Sequence, residues 1–123
     1  MRAVFLSRAA ILLAAFLLPL AAAAHHGWAW TTGENRELTG TIVEATLGNP
    51  HGELVMDVDG ERWTVEVGQP WRHERAGLTE AHFSAGTVLR VSGEPSADPD
   101  ERLLKVERLW IDGTKYELYP DRD

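Results

Sequence analysis

After Leu38, apolar and polar residues alternate with a two-residue period, and turn-forming pairs interrupt the alternation at short intervals. That pattern predicts short, mainly antiparallel strands with one buried face. The first run covers 38–47, is rich in Thr, Ile and Val, and stops at Gly48-Asn49-Pro50-His51-Gly52. The next, 53–58, sets Leu54, Met56 and Val58 on one face. Asp59-Gly60 then predicts a two-residue hairpin, because both central positions need positive φ. From Arg62 to Val67, Trp63, Val65 and Val67 share one face, with Thr64 and Glu66 on the other. A strand over 87–93 opposes Leu89 and Val91 to Val88, and the longest late strand runs from Leu103 to Ile111. Asp112-Gly113 gives a second hairpin, 115–118 closes the sheet, and Pro120 and a charged tail end the fold.

Two segments break the alternation. Between Gly68 and Gly86, residues 71–76 fit a helical turn, and Thr79 reads as an N-cap with Leu78 and Phe83 as a hydrophobic staple. Residues 94–102 form a polar stretch without periodicity, predicted to be an exposed, mobile loop. The order is three strands, a short helical linker, then two or three strands. This predicts an all-β fold: a small OB-like β-barrel of five to six strands with a short helical linker. A small open sandwich is the alternative. The predicted division is an N-terminal His/Trp arm at 25–37, a single barrel domain at 38–120 and a charged tail at 121–123.

The start of the chain changes the picture. Arg2 and Arg8 precede an apolar run over 9–18, and Pro19 and a row of alanines follow. This is the charged, apolar, small-residue order of a secretory signal, here 1–24. The apolar run is shorter than the ~20 residues that span a bilayer. The expectation is a cleaved signal peptide, a periplasmic or secreted protein, and no stable membrane insertion after cleavage; an uncleaved anchor is the alternative. Residues 25–123 suffice for one domain with a modest core. With no cysteine there is no disulfide and no thiolate zinc site. The formal net charge is −7, and loss of Arg2 and Arg8 makes it more negative by two. Such a surface repels nucleic-acid phosphates and anionic lipids, although plain solubility accounts for the charge by itself.

Several segments together resemble a known family: His25-His26-Gly27-Trp28, Leu38 to Glu44, Gly48-Asn49-Pro50-His51-Gly52, Glu74 to Leu78, Val91-Ser92-Gly93 and Tyr116-Glu117-Leu118. In that order they are similar to the exported bacterial proteins catalogued as domain of unknown function 6152. The Asn-Pro-His motif with the leading His-His pair is the most specific part. The resemblance implies an exported, barrel-like β protein and no particular activity.

The candidate chemistry lies in the histidines. The predicted metal ligands are His25, His26 and His51. His25 and His26 directly follow the expected cleavage site, and His51 sits in a proline-bearing turn. Cleavage after Ala23 leaves His26 third, so the amine, two deprotonated amides and its imidazole form a planar nitrogen set suited to Cu(II) or Ni(II). Cleavage after Ala24 leaves His25 first, where amine and imidazole chelate together and His51 completes a three-nitrogen copper site. Both arrangements weaken as pH falls, because the ligands must be deprotonated. The bland alternatives are solvated histidines after a leader, and a His51 that caps its turn through a backbone carbonyl. His73 and His82 flank the helical linker and read as structural or solvated.

Trp63 and Trp110 read as core residues. Trp28 and Trp30 alternate along the arm and are expected to lay it against the barrel, with Trp71 plugging one end. Glu44, Asp57, Glu66 and Glu107 read as a solvated face. No acid–base pair, phosphate loop or nucleophile motif is present, so no catalytic residue is assigned and the chain does not read as an enzyme. An oxidative copper enzyme using His25 would need an open coordination position and a substrate surface, and the sequence shows neither. The expected function is binding. Either a copper-type cation is held for sequestration or delivery, or a metal-free barrel module takes an envelope partner protein or small ligand.

Overall fold

The computed structural model describes residues 27–122; the expected leader, His25 and His26 lie outside them. Six strands form: β1 (Arg36–Thr46), β2 (Gly52–Val58), β3 (Glu61–Gly68), β4 (Val88–Pro95), β5 (Leu103–Ile111) and β6 (Thr114–Glu117). Between β3 and β4 lie a helix, α1 (Pro70–Ala76), and a 3-10 turn (Glu80–Phe83). Both predicted hairpins are present. Asp59 and Gly60 have φ of 51° and 82°, and Asp112 and Gly113 have 49° and 79°. This is the mirror-image turn that matches strand twist.

The hydrogen-bonded order β3-β2-β1-β4-β5 closes into a ring because β3 also pairs with β5, in parallel, through Thr64↔Leu103, Val65↔Leu104 and Glu66↔Lys105. Read around the ring the order is 1-2-3-5-4, with the helix between β3 and β4, which is the OB arrangement. Closure removes the exposed edges that a sandwich of this size would carry. β6 lies outside the ring and, among the described residues, pairs with β5 alone.

The interior is filled as the alternation predicts. Leu54, Met56, Val65, Val67, Val91, Leu104, Val106 and Leu109 are fully buried, and Leu78 and Phe83 close the end beneath α1. Trp63 belongs to this core. Trp110 does not: it is half-buried, with the Arg90 guanidinium 4.0 Å over its ring. Trp71 is not a plug either, being 50% exposed between Arg72 and Arg75.

The expected solvated face is the main correction. Glu66 and Glu107 are buried, at 3% and 1% exposure, and so is Glu94, which the sequence places in an exposed loop. The loop reading fails at that end because β4 runs on to Pro95. Residues at both ends of the described chain cover these positions. Thr31 bridges to Ser96, and its hydroxyl donates to Glu94 (3.0 Å). Asn35 donates to Glu107 (3.0 Å). Arg122, read as part of the charged tail, pairs with Glu94 (2.5 Å) and Glu107 (3.2 Å). A bulge adds to this. Ser92 pairs with Arg108 and Gly93 with Val106, so Glu107 is the extra residue of β5 and the inward phase shifts from 104 and 106 to 109 and 111.

His73 and His82 are structural. His73 Nε2 lies 2.6 Å from the Val67 carbonyl oxygen and holds α1 to the end of β3. His82 completes a capping box. Its Nδ1 accepts from the Thr79 amide (2.8 Å), which leaves Nε2–H to face the Tyr116 hydroxyl on β6 (3.2 Å). His82→Ala is expected to cost about 1 kcal/mol by thermal unfolding, the scale of a lost cap plus one hydrogen bond. A loss within error would show that the 3-10 turn does not depend on this ring.

A candidate cation site beside the N-terminal arm

The Gly48–Gly52 turn holds His51 at the rim of the barrel. Gly48 has φ of 128°, and the Asn49–Pro50 peptide is cis. The turn delivers His51 to the start of β2, beside the outward positions of three neighbouring strands. There the register sets Glu53 opposite Glu66, and Glu66 beside Lys105. His51 Nε2 lies 3.4 Å from Glu66 Oε1. The other ring nitrogen, Nδ1, is buried and has no hydrogen-bond partner among the described residues. One donor atom from each of His51, Glu53 and Glu66 lies within 4.8 Å of the others.

His51 and Glu66 border a cavity of about 110 Å³ that Gly27, Gln69, Lys105 and Tyr119 also line. Lys105 Nζ donates to the Gly27 carbonyl oxygen (2.7 Å) and stands 4.6 Å over the Trp28 ring. Burial pushes the Lys105 pKa below its usual 10.5, and the nearby Glu66 carboxylate only partly opposes this. Burial likewise pushes the Tyr119 hydroxyl up, against the pull of Arg72. The Tyr119 ring carries the Arg72 guanidinium at 3.8 Å and meets Trp28 edge-on at 5.1 Å. The cavity therefore opposes a carboxylate and an ammonium, under an aromatic and cationic cover.

Of the predicted ligands, His51 lies at this cavity, and His25 and His26 lie outside the described residues. Gly27, the residue after His26, lines the same cavity. The arm packs as expected, although through a turn at 27–30 rather than an extended strand: Trp30 is buried, and Trp28 is held between Tyr119 and Arg122. Among the described residues no carbonyl accepts from the His51 ring, and the carboxylate beside it is that of Glu66. Sequence reasoning missed Glu53 and Glu66, yet a signal was present. Counting outward from the Asp59-Gly60 turn puts Glu53 directly opposite Glu66, and directly opposed like charges destabilise a strand pair unless a cation intervenes.

Fold and site together define a class, a small closed β-barrel of OB strand order with a histidine–carboxylate cluster at its rim. The chain belongs to the family of unknown function DUF6152, which matches residues 14–104. Among solved structures it is similar to the crystal structure of the ZRD-deleted mutant of TiaS in complex with agmatine. That match has 16% identity and a TM-score of 0.50, and covers 69% of this chain and 26% of the other. The crystal structure of TiaS in complex with a tRNA, AMPCPP and agmatine matches at 16% identity and a TM-score of 0.49, over 63% of this chain and 18% of the other. The chain thus spans about a quarter or less of the length of these structures, and the likeness is one of fold alone. No curated protein matches the chain.

Proposed function

We propose that this is a small exported protein, periplasmic or secreted, that binds a copper-type cation through His25, His26 and His51, for sequestration or delivery rather than turnover. The observation that carries this reading is the shared cavity: Gly27 and His51 line the same space beside the buried Glu66. Gly27 directly follows His26 in the sequence, so the expected N-terminal ligands adjoin a residue that lines this cavity. Imidazole nitrogens suit copper, and the two carboxylates supply compensating negative charge.

The test is a Cu(II) titration of the processed, tag-free protein, with its N-terminus established by intact mass and binding followed by tryptophan fluorescence. Stoichiometric binding with quenching of Trp28 is expected. A His25→Ala/His26→Ala double variant should lose at least about a hundredfold in affinity, and His51→Ala about tenfold, on the scale of lost metal-site groups. Affinity should fall as pH is lowered, because metal and protons compete for the same nitrogens. Weak binding, equal in all three forms, sinks the proposal.

A second reading is a metal-free module that takes an envelope partner protein or small ligand. It is favoured by Lys105, which puts an ammonium where a bare cation would be repelled, and by the half-exposed Trp71, whose ring carries the Arg72 guanidinium. Absence of copper binding by the wild-type protein selects this reading.

A further inference from the structure

We infer that Glu66 is a direct ligand of the proposed ion, and that the resulting nitrogen–oxygen set selects Cu(II) over Cu(I). This rests on the copper reading above and goes beyond it in naming a fourth protein group and the oxidation state.

The geometry carries the first half. Two donors about 2.1 Å from one ion stand about 3.0 Å apart at a right angle and about 3.4 Å apart at the tetrahedral angle. His51 Nε2 and Glu66 Oε1 are 3.4 Å apart. They need little adjustment to share an ion, and Glu53 stands within 4.8 Å of both. Glu66 is held from both sides by strand pairing, to β2 at Glu53 and to β5 at Lys105. A buried carboxylate fixed in this way suits a first ligand better than the exposed Glu53.

The donor inventory carries the second half. Thiolate and thioether ligands favour Cu(I), whereas imidazole and carboxylate suit divalent ions. The sequence has no cysteine and two methionines. Met56 is fully buried in the barrel interior, on the opposite face of β2 from Glu53. Met1 begins the expected leader. No sulfur ligand therefore serves the cavity from the described residues, and the carboxylate contributes to Cu(II) far more than to Cu(I).

The test compares wild type with Glu66→Gln, as processed tag-free protein, in two competitions: Cu(II) against nitrilotriacetate, and Cu(I) against bicinchoninate under anaerobic conditions. Glu66→Gln should lower Cu(II) affinity by at least about tenfold and leave Cu(I) affinity within about twofold. The electron paramagnetic resonance spectrum of the Cu(II) form should change. A general structural role would lower both affinities together, and that result overturns the inference, as does no change in either. Wild-type binding that depends on His25 and His26 but not on Glu66 overturns this inference alone. No binding by wild type overturns the copper reading and this inference with it. Should Glu66→Gln fail to fold, Glu66→Asp keeps the charge and draws the oxygens back by one methylene. A changed Cu(II) spectrum in that variant supports ligation, and an unchanged one overturns it.

Discussion

Arg122→Ala is expected to lower the unfolding free energy by about 2–3 kcal/mol, although Arg122 is the last described residue and its side chain is 38% exposed. The cause lies in its partners. Glu94 and Glu107 are almost wholly buried, and Arg122 pairs with both. Its guanidinium also lies 3.8 Å over the Trp28 ring. Burial lowers the Arg122 pKa, but the hydrogen bonds and charges of Glu94 and Glu107 more than offset this and hold it above the ordinary value. Losing one partner of a buried ion pair costs about 3–5 kcal/mol, because the other charge is stranded. The expected cost is smaller here because Thr31 still donates to Glu94, and Asn35 and Arg108 to Glu107. Arg122→Lys keeps the charge but loses the fork and the flat stack, and should recover only part of the loss. Urea denaturation at neutral pH measures all of this. A cost under about 0.5 kcal/mol, ordinary for a surface substitution, would show that the two carboxylates do not depend on Arg122.

The second large effect is expected at Gly93. A β-carbon there would collide with the Lys105 carbonyl oxygen, and would lie 2.7 Å from the Lys105 carbonyl carbon and 2.8 Å from Val106 Cα. All three are backbone atoms of a strand paired at that point, so no side chain can swing aside. Gly93→Ala is expected to cost about 3 kcal/mol, at the upper end of overpacking. Gly77→Ala is the control. Gly77 ends α1 with φ of 85° and has nothing near its missing β-carbon, so only the cost of a left-handed L-residue, about 1–2 kcal/mol, applies. If the two variants have similar melting temperatures, the close approach of β4 and β5 does not matter.

Much of the barrel is written locally. Asp59-Gly60 and Asp112-Gly113 fix two hairpins, and the apolar phase of β2 and β3 fixes which face turns inward. The span of β5 follows from its apolar run and its flanking turns. The fate of Glu66, Glu94 and Glu107 is not written there. Alternation distinguishes two faces of a strand, but it cannot show that residues 28–35 and 118–122 return to cover the second face. The bulge at Glu107 shows in the sequence only as an unexplained change of phase between Val106 and Leu109. Trp110 reads as core by hydrophobicity, and only the tertiary position of Arg90 gives it another partner. The candidate site was half legible. His51 stood out by residue type, whereas Glu66 needed the cross-strand register.

Closure through the parallel pairing of β3 and β5 bears on when this protein folds. The strand that completes the ring is the last of the five, and it binds β3 across an intervening helix, turn and strand. Non-local pairing of this kind comes late and slowly, because the loop must close before the contacts are gained. The β1–β2 pairing is the first to become available along the chain and the β2–β3 hairpin the second, and an isolated two-stranded pair is marginal in water. The ring therefore closes only once residues 103–111 are available, and Leu103→Pro or a truncation before β5 should leave at most the β1-β2-β3 meander.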